Sequence, residues 1–238
     1  MKKLFFLLAI SFFVSCSSDD GFDDANGNVA KKYITKLTTS GNGATNVSTV
    51  TYSNDGKVLT ASDGQQIKAF TYNSDGSLNK IAGGGDNLFT SEVMGTIHDA
   101  YEIADILQYD ANGNPTILEL FEDDYFTGER YVYTATLSYD NKPFVFYHTL
   151  DAAGIINVLN STQLNFSLTA NPEIILAKLL LPVNNPIRAI IKDENNIEIG
   201  RIDVTYTYDT ENYPTASTVT VQEDGMVDQF TVLYEYLP

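Results

Sequence analysis

Few side chains in this sequence are of the types that carry nucleophilic or metal chemistry. There are two histidines, His98 and His148, and one cysteine, Cys16. His98 precedes Asp99, and such a pair can act as a base and its orienting acid, but no recognisable nucleophile accompanies it. Neither HExxH nor Gly-x-Ser-x-Gly occurs, and His148 is in phase with neighbouring apolar residues, as a packed histidine would be. The sequence therefore predicts no catalytic residue.

Two runs place oxygen-bearing side chains at every second position, residues 24–28 and residues 110–114. A calcium loop uses this spacing, but it also needs Gly at its sixth place and a distal Glu. Gly27 and Gly113 stand at the fourth place instead, where a hairpin turn requires glycine. The triple glycine at 83–85 lacks the lysine and the strand–helix context of a phosphate-binding loop. We expect turns here, with no metal and no cofactor.

Residues 122–126, Glu-Asp-Asp-Tyr-Phe, combine acids with aromatic rings. Paired carboxylates hydrolyse glycosides when a cleft holds them at a set separation, which a sequence alone does not fix. Exposed aromatic rings also bind sugars or peptides, although the chain has no Trp. A carbohydrate-active enzyme and a glycan-binding protein therefore remain alternatives to the prediction made below.

The N-terminus has the pattern of an export signal. Lys2 and Lys3 precede an apolar run at 4–14 that is interrupted once, by a serine. Eleven helical residues rise about 16 Å, which is too short to cross a bilayer that needs about 20 residues. We therefore interpret residues 1–15 as a signal peptide.

The only cysteine follows this segment directly. Phe13-Val14-Ser15-Cys16 resembles a bacterial lipobox, in which small and apolar residues precede the cysteine. The resemblance implies that Cys16 becomes the first residue of the mature protein and carries the lipid. Acyl chains contribute about 0.8 kcal/mol per buried CH₂, and more than one chain gives stable anchoring. The predicted partner at this end is therefore a membrane.

A serine-rich and acidic tract follows the cysteine, and it consists of Ser17, Ser18, Asp19 and Asp20. It resembles the tract that directs lipoproteins of the Bacteroidota to the outer face of the outer membrane. Residues 16–31 are rich in Ser, Asp, Gly and Asn, and we interpret them as an acidic flexible tether. The predicted location is the outer membrane, with the domain facing the cell exterior.

Composition limits the class of protein further. The chain has 238 residues, of which 43% are hydrophobic, so it can bury a core. It carries 14 basic and 31 acidic residues, a net charge of −17. Such a surface repels phosphate backbones and disfavours nucleic acid as a partner. A single cysteine excludes an intramolecular disulfide.

From residue 32 onward the apolar residues alternate with a period of two. In 131–139 and 230–236, aromatic and aliphatic residues occupy one face and mostly polar residues the other. Across Gly200 the phase of the alternation shifts, which predicts a β-bulge. Asp-Gly and Asn-Gly pairs separate these segments, as tight hairpin turns require.

We therefore predict one all-β domain over 32–238, built as an antiparallel meander of hairpins that forms a twisted sheet. The pattern leaves open whether this sheet remains open, folds into a sandwich or closes like a barrel. Pro172 and Pro182 bracket a short helix predicted near 172–181. Residues 91–106 fit a helix or a strand equally well.

A tyrosine recurs where predicted strands end, followed by an Asp, Asn or Ser that opens a turn. The physical interpretation is an aromatic ring that caps the strand on its core face. The element resembles the YD repeats of RHS-type proteins, and together with the leader it is similar to surface lipoproteins of the Bacteroidota with degenerate YD repeats. The repeat positions are Tyr52, Tyr72, Tyr109, Tyr139 and Tyr208.

Taken together, these patterns predict a lipid-anchored cell-surface protein with a non-catalytic binding or structural role. Its ligand would be a surface protein or a glycan. A third alternative is an accessory subunit of an outer-membrane complex, which would require an exposed apolar patch. An enzyme would instead require a concave pocket with paired carboxylates, and a glycan binder would require exposed aromatic residues on one face of the sheet.

Overall fold

A computed structural model describes residues 18–83, 102–161, 172–223 and 225–238. Cys16, Ser17, His98 and Asp99 lie outside the described residues, as does most of the ambiguous segment at 91–106. The part of that segment from residue 102 onward is a strand.

Twelve strands form one antiparallel sheet in the described part of the chain. Each strand pairs with the next along the chain, except β5 with β6. Most of the connections are short hairpins. The strands are β1 (Ile34–Gly41), β2 (Ala44–Tyr52), β3 (Val58–Ser62), β4 (Ile67–Tyr72), β5 (Leu78–Gly83), β6 (Glu102–Tyr109), β7 (Pro115–Asp123), β8 (Arg130–Pro143), β9 (Asn184–Lys192), β10 (Glu198–Tyr208), β11 (Pro214–Glu223) and β12 (Met226–Tyr236).

The order of strands in the sheet is β5-β4-β3-β2-β1-β12-β11-β10-β9-β8-β7-β6. The first and last strands therefore pair in the middle, with Leu37 opposite Tyr234. β5 and β6 are consecutive in the chain but form the two outer edges, and no described residue pairs across the gap between them. The all-β meander is confirmed, and the sheet is not closed.

Four short helices accompany the sheet within the described residues. They are α1 (Ser18–Asn26), α2 (Tyr147–Ala152), α3 (Ile155–Ser161) and α4 (Pro172–Leu180). The helix predicted near 172–181 corresponds to α4, whereas the sequence analysis did not predict α1, α2 or α3.

The predicted alternation separates the two faces of the sheet. In β8, Ala135 and Leu137 are buried while Thr134 and Thr136 are exposed. The inner face packs against Phe22 of α1 and against apolar residues of α2, α3 and α4, and these form the main core. A smaller core joins β2, β3 and β4 to the turn between α2 and α3. The bulge predicted at Gly200 is present as a register shift between Glu198 and Gly200.

The structure differs from the sequence analysis at the acidic segment interpreted as a flexible tether. Residues 18–26 of that segment form α1, and Phe22 is completely buried. Most residues of the segment are polar, but Ala25 and Val29 also pack against the core. Burial of Phe22 contributes about 1.5–3 kcal/mol and, together with the hydrogen bonds of Asn26, holds the helix against the core.

The sheet has two ends, which differ in the turns that they contain. The tyrosine end contains the turns after β2, β4, β6 and β10, together with the ends of β8 and β12. The distal end contains the turns after β1, β3, β7, β9 and β11.

Candidate functional site

The repeated tyrosines close the tyrosine end of the sheet. On each of five strands, a tyrosine donates its hydroxyl hydrogen to a backbone carbonyl of the preceding strand in the chain. This carbonyl lies at or near the start of that strand, which pairs with the strand that carries the tyrosine. The bonds are Tyr52 to Ile34 (2.6 Å), Tyr72 to Val58 (2.7 Å), Tyr139 to Pro115 (2.8 Å), Tyr206 to Pro186 (3.1 Å) and Tyr236 to Pro214 (2.6 Å). Of these five, Tyr52, Tyr72 and Tyr139 are repeat positions, and each packs against a core of the sheet.

Two repeat tyrosines use other partners. The strand before β6 in the chain is β5, and it lies at the opposite edge of the sheet. Tyr109 therefore lacks a preceding strand beside it and donates to the carbonyl of Leu179 in α4 (3.1 Å). Tyr208 donates to the carboxylate of Asp140. The Tyr109 bond joins the edge strand β6 to α4, and the Tyr208 bond joins β10 to β8.

Burial keeps these hydroxyl groups protonated. It raises the pKa of Tyr52 to about 12 and raises the pKa of Tyr139 as well. Because a neutral phenol is needed to donate to a carbonyl, this shift preserves the bonds over the whole physiological pH range. The repeat positions therefore stabilise the fold.

The turn at 110–114 uses its oxygens internally. One carboxylate oxygen of Asp110 accepts from the backbone nitrogens of Asn112 (2.9 Å) and Asn114 (2.9 Å), and the other accepts from the Asn114 amide (2.9 Å). Gly113 has φ of 88°, which favours glycine. The predicted turn is present. Within the described residues, no group of three His, Cys, Asp or Glu side chains is arranged to hold a metal ion.

A buried asparagine network joins this turn to α1. The Asn184 side-chain oxygen accepts from the amides of Asn112 (3.0 Å) and Asn114 (2.9 Å). Its amide donates to Asn26 in α1 (3.1 Å) and to the carbonyl of Lys142 (3.1 Å). Since Asn114 and Asn184 are fully buried and bonded on both sides, the network fixes the position of α1.

His148 lies in the same region, under α1. It belongs to α2 rather than to a strand, and it is buried as the sequence predicted. Its Nε2 lies 2.9 Å from the hydroxyl oxygen of Tyr213, and the Phe22 ring packs edge-on against it at 5.2 Å. Nδ1 has no hydrogen-bond partner among the described residues. Burial lowers the pKa of His148 to about 4, so the ring is neutral near pH 7.

At the distal end, the hairpin of β7 and β8 extends beyond the last pair of β8 with β9. β9 pairs with β8 only as far as Thr134, opposite Lys192, and the described part of β6 pairs with β7 only as far as Phe121. β8 begins at Arg130, so it extends four residues (134 − 130) past the last pair with β9. We call residues 121–133 the finger.

Polar contacts brace the finger from within. Arg130 donates to both carboxylate oxygens of Asp123 (2.7 and 2.8 Å) and lies over the Phe121 ring at 4.0 Å. Asp124 accepts from the backbone nitrogens of Phe126 (2.8 Å) and Thr127 (2.7 Å). These bonds lower the pKa of the Asp123 and Asp124 carboxyl groups. The turn is therefore held in one shape without help from the core.

The tip of the finger presents two aromatic rings to solvent. Tyr125 and Phe126 are each 93% exposed, and their rings meet edge-to-face at 5.5 Å. Burying either ring against a partner would contribute several kcal/mol. No other exposed large hydrophobic residue in the described chain approaches this exposure; Met226 is next at 67%.

Other exposed apolar residues lie on the neighbouring hairpins of the same end. Ile197 follows the turn between β9 and β10, and Met226 and Val227 follow the turn between β11 and β12. Adjacent hairpins of a sheet place their turns about 10 Å apart. The distal end therefore carries a row of exposed apolar side chains next to the finger.

The outer face of the sheet has a different character. Hydroxyl side chains form a row across five strands, because Thr205 pairs with Thr218, Thr218 with Thr231, Thr231 with Ser40, and Ser40 with Thr45. The aromatic residues that a glycan-binding sheet face would present are directed inward in these strands. The most exposed rings of the described residues are at the finger tip instead.

Raised carboxyl pKa values would mark a candidate acid catalyst. Within the described residues, burial raises the pKa of the Asp140 carboxyl group. Asp140 is occupied by structural bonds, since it accepts from the backbone nitrogens of Lys142 (2.9 Å) and Asn185 (3.2 Å) and from Tyr208. It is thus part of the tyrosine end.

Comparison with known proteins gives no family for this chain. No family model matches the chain, and no curated protein matches it. It is similar to a porin-like protein from Bacteroides vulgatus, with 12% identity over 87% of this chain and 99% of that one and a TM-score of 0.43. It is also similar to a LolA superfamily protein from Nitrosomonas europaea, with 9% identity over 93% and 94% of the chains and a TM-score of 0.28.

Among the described residues, no helix combines the length and the apolar character needed to cross a bilayer.

The finger could be anticipated in part, because residues 122–126 combine acids with aromatic rings. No local pattern indicates that these residues extend beyond β9, because that extension depends on where β9 stops pairing with β8.

Proposed function

We propose that this protein is a non-catalytic, lipid-anchored subunit that docks to a partner protein through the finger. The observation that carries the proposal is the exposure of Tyr125 and Phe126 on a braced turn at the distal end. The Cys16 lipid and the outer-membrane location follow from the lipobox resemblance. Among the alternatives in the sequence analysis, this is the accessory subunit.

The shape of the finger favours a protein partner. Small ligands and sugars bind mostly in concave sites that surround them. The finger is convex, so its rings fit a pocket on another molecule. Aromatic residues that enter a pocket on the partner are the typical energetic centres of protein interfaces.

The bracing of the finger supports the same role. A loop that orders itself only on binding loses free energy in ordering its backbone and side chains. Here Asp124 and the Arg130–Asp123 pair already hold the turn, so that cost is small. Glu122 and Glu129 belong to the finger and Glu194 accepts from the backbone nitrogen of Val132 in it (3.4 Å), and these negative charges favour a partner surface with positive charge.

The test is site-specific photocrosslinking in intact cells. A photoreactive phenylalanine analogue replaces Phe126 in one strain and Asn195 in a control strain, and Asn195 is exposed in the next hairpin turn. We expect one discrete adduct from position 126 that becomes at least tenfold weaker in a strain also carrying Tyr125→Ala. The Asn195 position should give a much weaker adduct or none.

Two results would contradict the proposal. Equal adducts from positions 126 and 195 would mean that the rings do not select a partner. An adduct that Tyr125→Ala leaves unchanged would mean that the contact at the tip is incidental. The lipid is tested separately, since Cys16→Ala should abolish acylation and membrane retention, and protease treatment of whole cells tests the outward orientation.

A further inference from the structure

We infer that the domain is held directly on the membrane with its tyrosine end toward the bilayer and its finger away from it. The inference deepens the proposed function and rests on acylation of Cys16. The inference rests on how close two features lie in the chain. The residue that carries the lipid, Cys16, precedes α1 by two positions, and the only large apolar side chain of α1, Phe22, is buried in the core at the tyrosine end.

The reach of the chain limits the position of the lipid. Only Ser17 separates Cys16 from Ser18, where α1 begins. Consecutive Cα atoms are 3.8 Å apart, so Cys16 lies within about 8 Å of the start of α1. The eight steps from Ser18 to Asn26 rise about 12 Å. Cys16 therefore lies within about 20 Å of Asn26.

Asn26 and Phe22 fix α1 at the tyrosine end. Asn26 donates to the carbonyls of Phe22 (3.1 Å) and Val183 (3.0 Å) and accepts from Asn184 (3.1 Å), at the point where β9 begins. The Phe22 ring stacks on Tyr147 with centroids 3.7 Å apart and an interplanar angle of 8°. Since Phe22 is completely buried, α1 is part of the folded domain.

The distal end is too far away to share this position. β10 has 11 residues and connects the two ends, so it spans about 35 Å. β8, which leads from the finger to the tyrosine end, has 14 residues and spans about 45 Å. A lipid within about 20 Å of Asn26 therefore brings the tyrosine end to the membrane and leaves the finger tens of Å from it.

This orientation has a consequence for the partner. A flexible tether would let the finger sweep through all directions, including toward the bilayer. A domain held through α1 presents its rings at a fixed height above the membrane. The partner would therefore be one whose pocket lies at that height, such as the outward part of a membrane protein complex.

The test places a fluorescent label at each end of β10 in the full-length acylated protein. Thr210→Cys lies in the turn at the tyrosine end and Asn195→Cys in the turn at the distal end, and both positions are exposed. Because Cys16 is the only native cysteine and is blocked by the lipid, each variant has one reactive thiol. The proteins are reconstituted in phosphatidylcholine vesicles that contain a lipid with a spin-labelled headgroup.

We expect headgroup quenching of the label at position 210 to be at least threefold stronger than at position 195. Inserting ten Gly-Ser residues between Ser17 and Ser18 should reduce the quenching at 210 to the level at 195. Phe22→Ala should act in the same direction by releasing α1 while the rest of the domain stays folded, as circular dichroism would verify.

Equal quenching at the two positions in the unmodified protein, or stronger quenching at 195, would overturn the inference. An insertion that leaves the difference unchanged would also overturn it, because the short connection would not be its cause. Intact-mass measurement of the acyl groups and flotation with the vesicles precede the quenching. Their failure would reject the lipid anchor itself, so the two results are distinguishable.

Discussion

The two ends of the sheet are both built from hairpins, but they differ in which side chains they bury and which they expose. At the tyrosine end, polar groups are buried and almost all are bonded, as in the network around Asn184. At the distal end, large apolar groups are exposed, and Tyr125 and Phe126 contact little besides each other. Buried polar groups specify one arrangement of a fold, whereas exposed apolar groups mark surfaces that bind other molecules. We therefore infer that the tyrosine end stabilises the fold and that the distal end serves recognition.

The strongest test of this comparison is Asn184→Ala. The change removes the partner of one Asn114 amide hydrogen, of the Asn26 side-chain oxygen and of the Lys142 carbonyl, and each buried unsatisfied group costs about 1–3 kcal/mol. We expect the free energy of unfolding to fall by about 3–4 kcal/mol in urea denaturation. Asn79→Ala, on the exposed edge strand β5, is the control and should change it by less than about 0.5 kcal/mol. A similar small loss for Asn184→Ala would show that the network is dispensable.

The second test is the pH dependence of stability. The pKa of His148 is about 4 in the folded protein against an ordinary value of 6.5, because burial disfavours the charged ring. The unfolded chain therefore binds a proton that the folded protein does not. Stability should be full above pH 6.5 and fall by about 3 kcal/mol in total as the pH decreases toward 4.

Urea denaturation at a series of pH values would measure this loss. In His148→Gln the part of the profile between pH 6.5 and 4 should become nearly flat, although the variant is itself less stable. If the slope in that window were the same in the variant, the loss would have to come from other groups.

The third test concerns the tyrosine bonds. Tyr139→Phe removes only the hydroxyl that donates to Pro115, and we expect a loss of about 1 kcal/mol. Tyr109→Phe is the matched variant, because Tyr109 lies at the sheet edge and is 40% exposed. Its loss should be at most half as large, since water can replace the bond to Leu179. Equal losses in thermal denaturation would mean that burial does not set the strength of these bonds.

The smallest effect on stability is expected at the finger. Tyr125→Ser combined with Phe126→Ser should change the free energy of unfolding by less than about 0.5 kcal/mol, because neither ring packs against the core. The same variant should no longer co-purify with the partner that photocrosslinking at position 126 identifies. A substantial loss of stability would mean that the rings serve the fold, and the functional contrast between the two ends would then disappear.

Local sequence patterns were sufficient for the strands and turns. Alternation with a period of two identified β8 and β12, and the Asp-Gly and Asn-Gly pairs marked the hairpins, because both signals depend on residues close in the chain. Tyr52, Tyr72 and Tyr139 end their strands against the core, whereas Tyr109 lies exposed at the sheet edge. The same reasoning identified α4, which two prolines bracket, but it did not identify α2 and α3.

The functional end depended on contacts that no local pattern encodes. The acids and rings at 122–126 were visible in the sequence, but their extension beyond β9 follows from the point where β9 stops pairing with β8. The position of α1 follows from Phe22 meeting Tyr147 and His148, which lie more than a hundred residues away.

The sequence by itself determined a meander of hairpins, because period and turn chemistry act over a few residues. Only the tertiary structure decided that β1 and β12 pair in the middle of the sheet, that β5 and β6 become its edges and that the acidic N-terminal segment packs as a helix. These outcomes depend on the free energy of burying surfaces from distant parts of the chain, and that energy exists only once the surfaces meet.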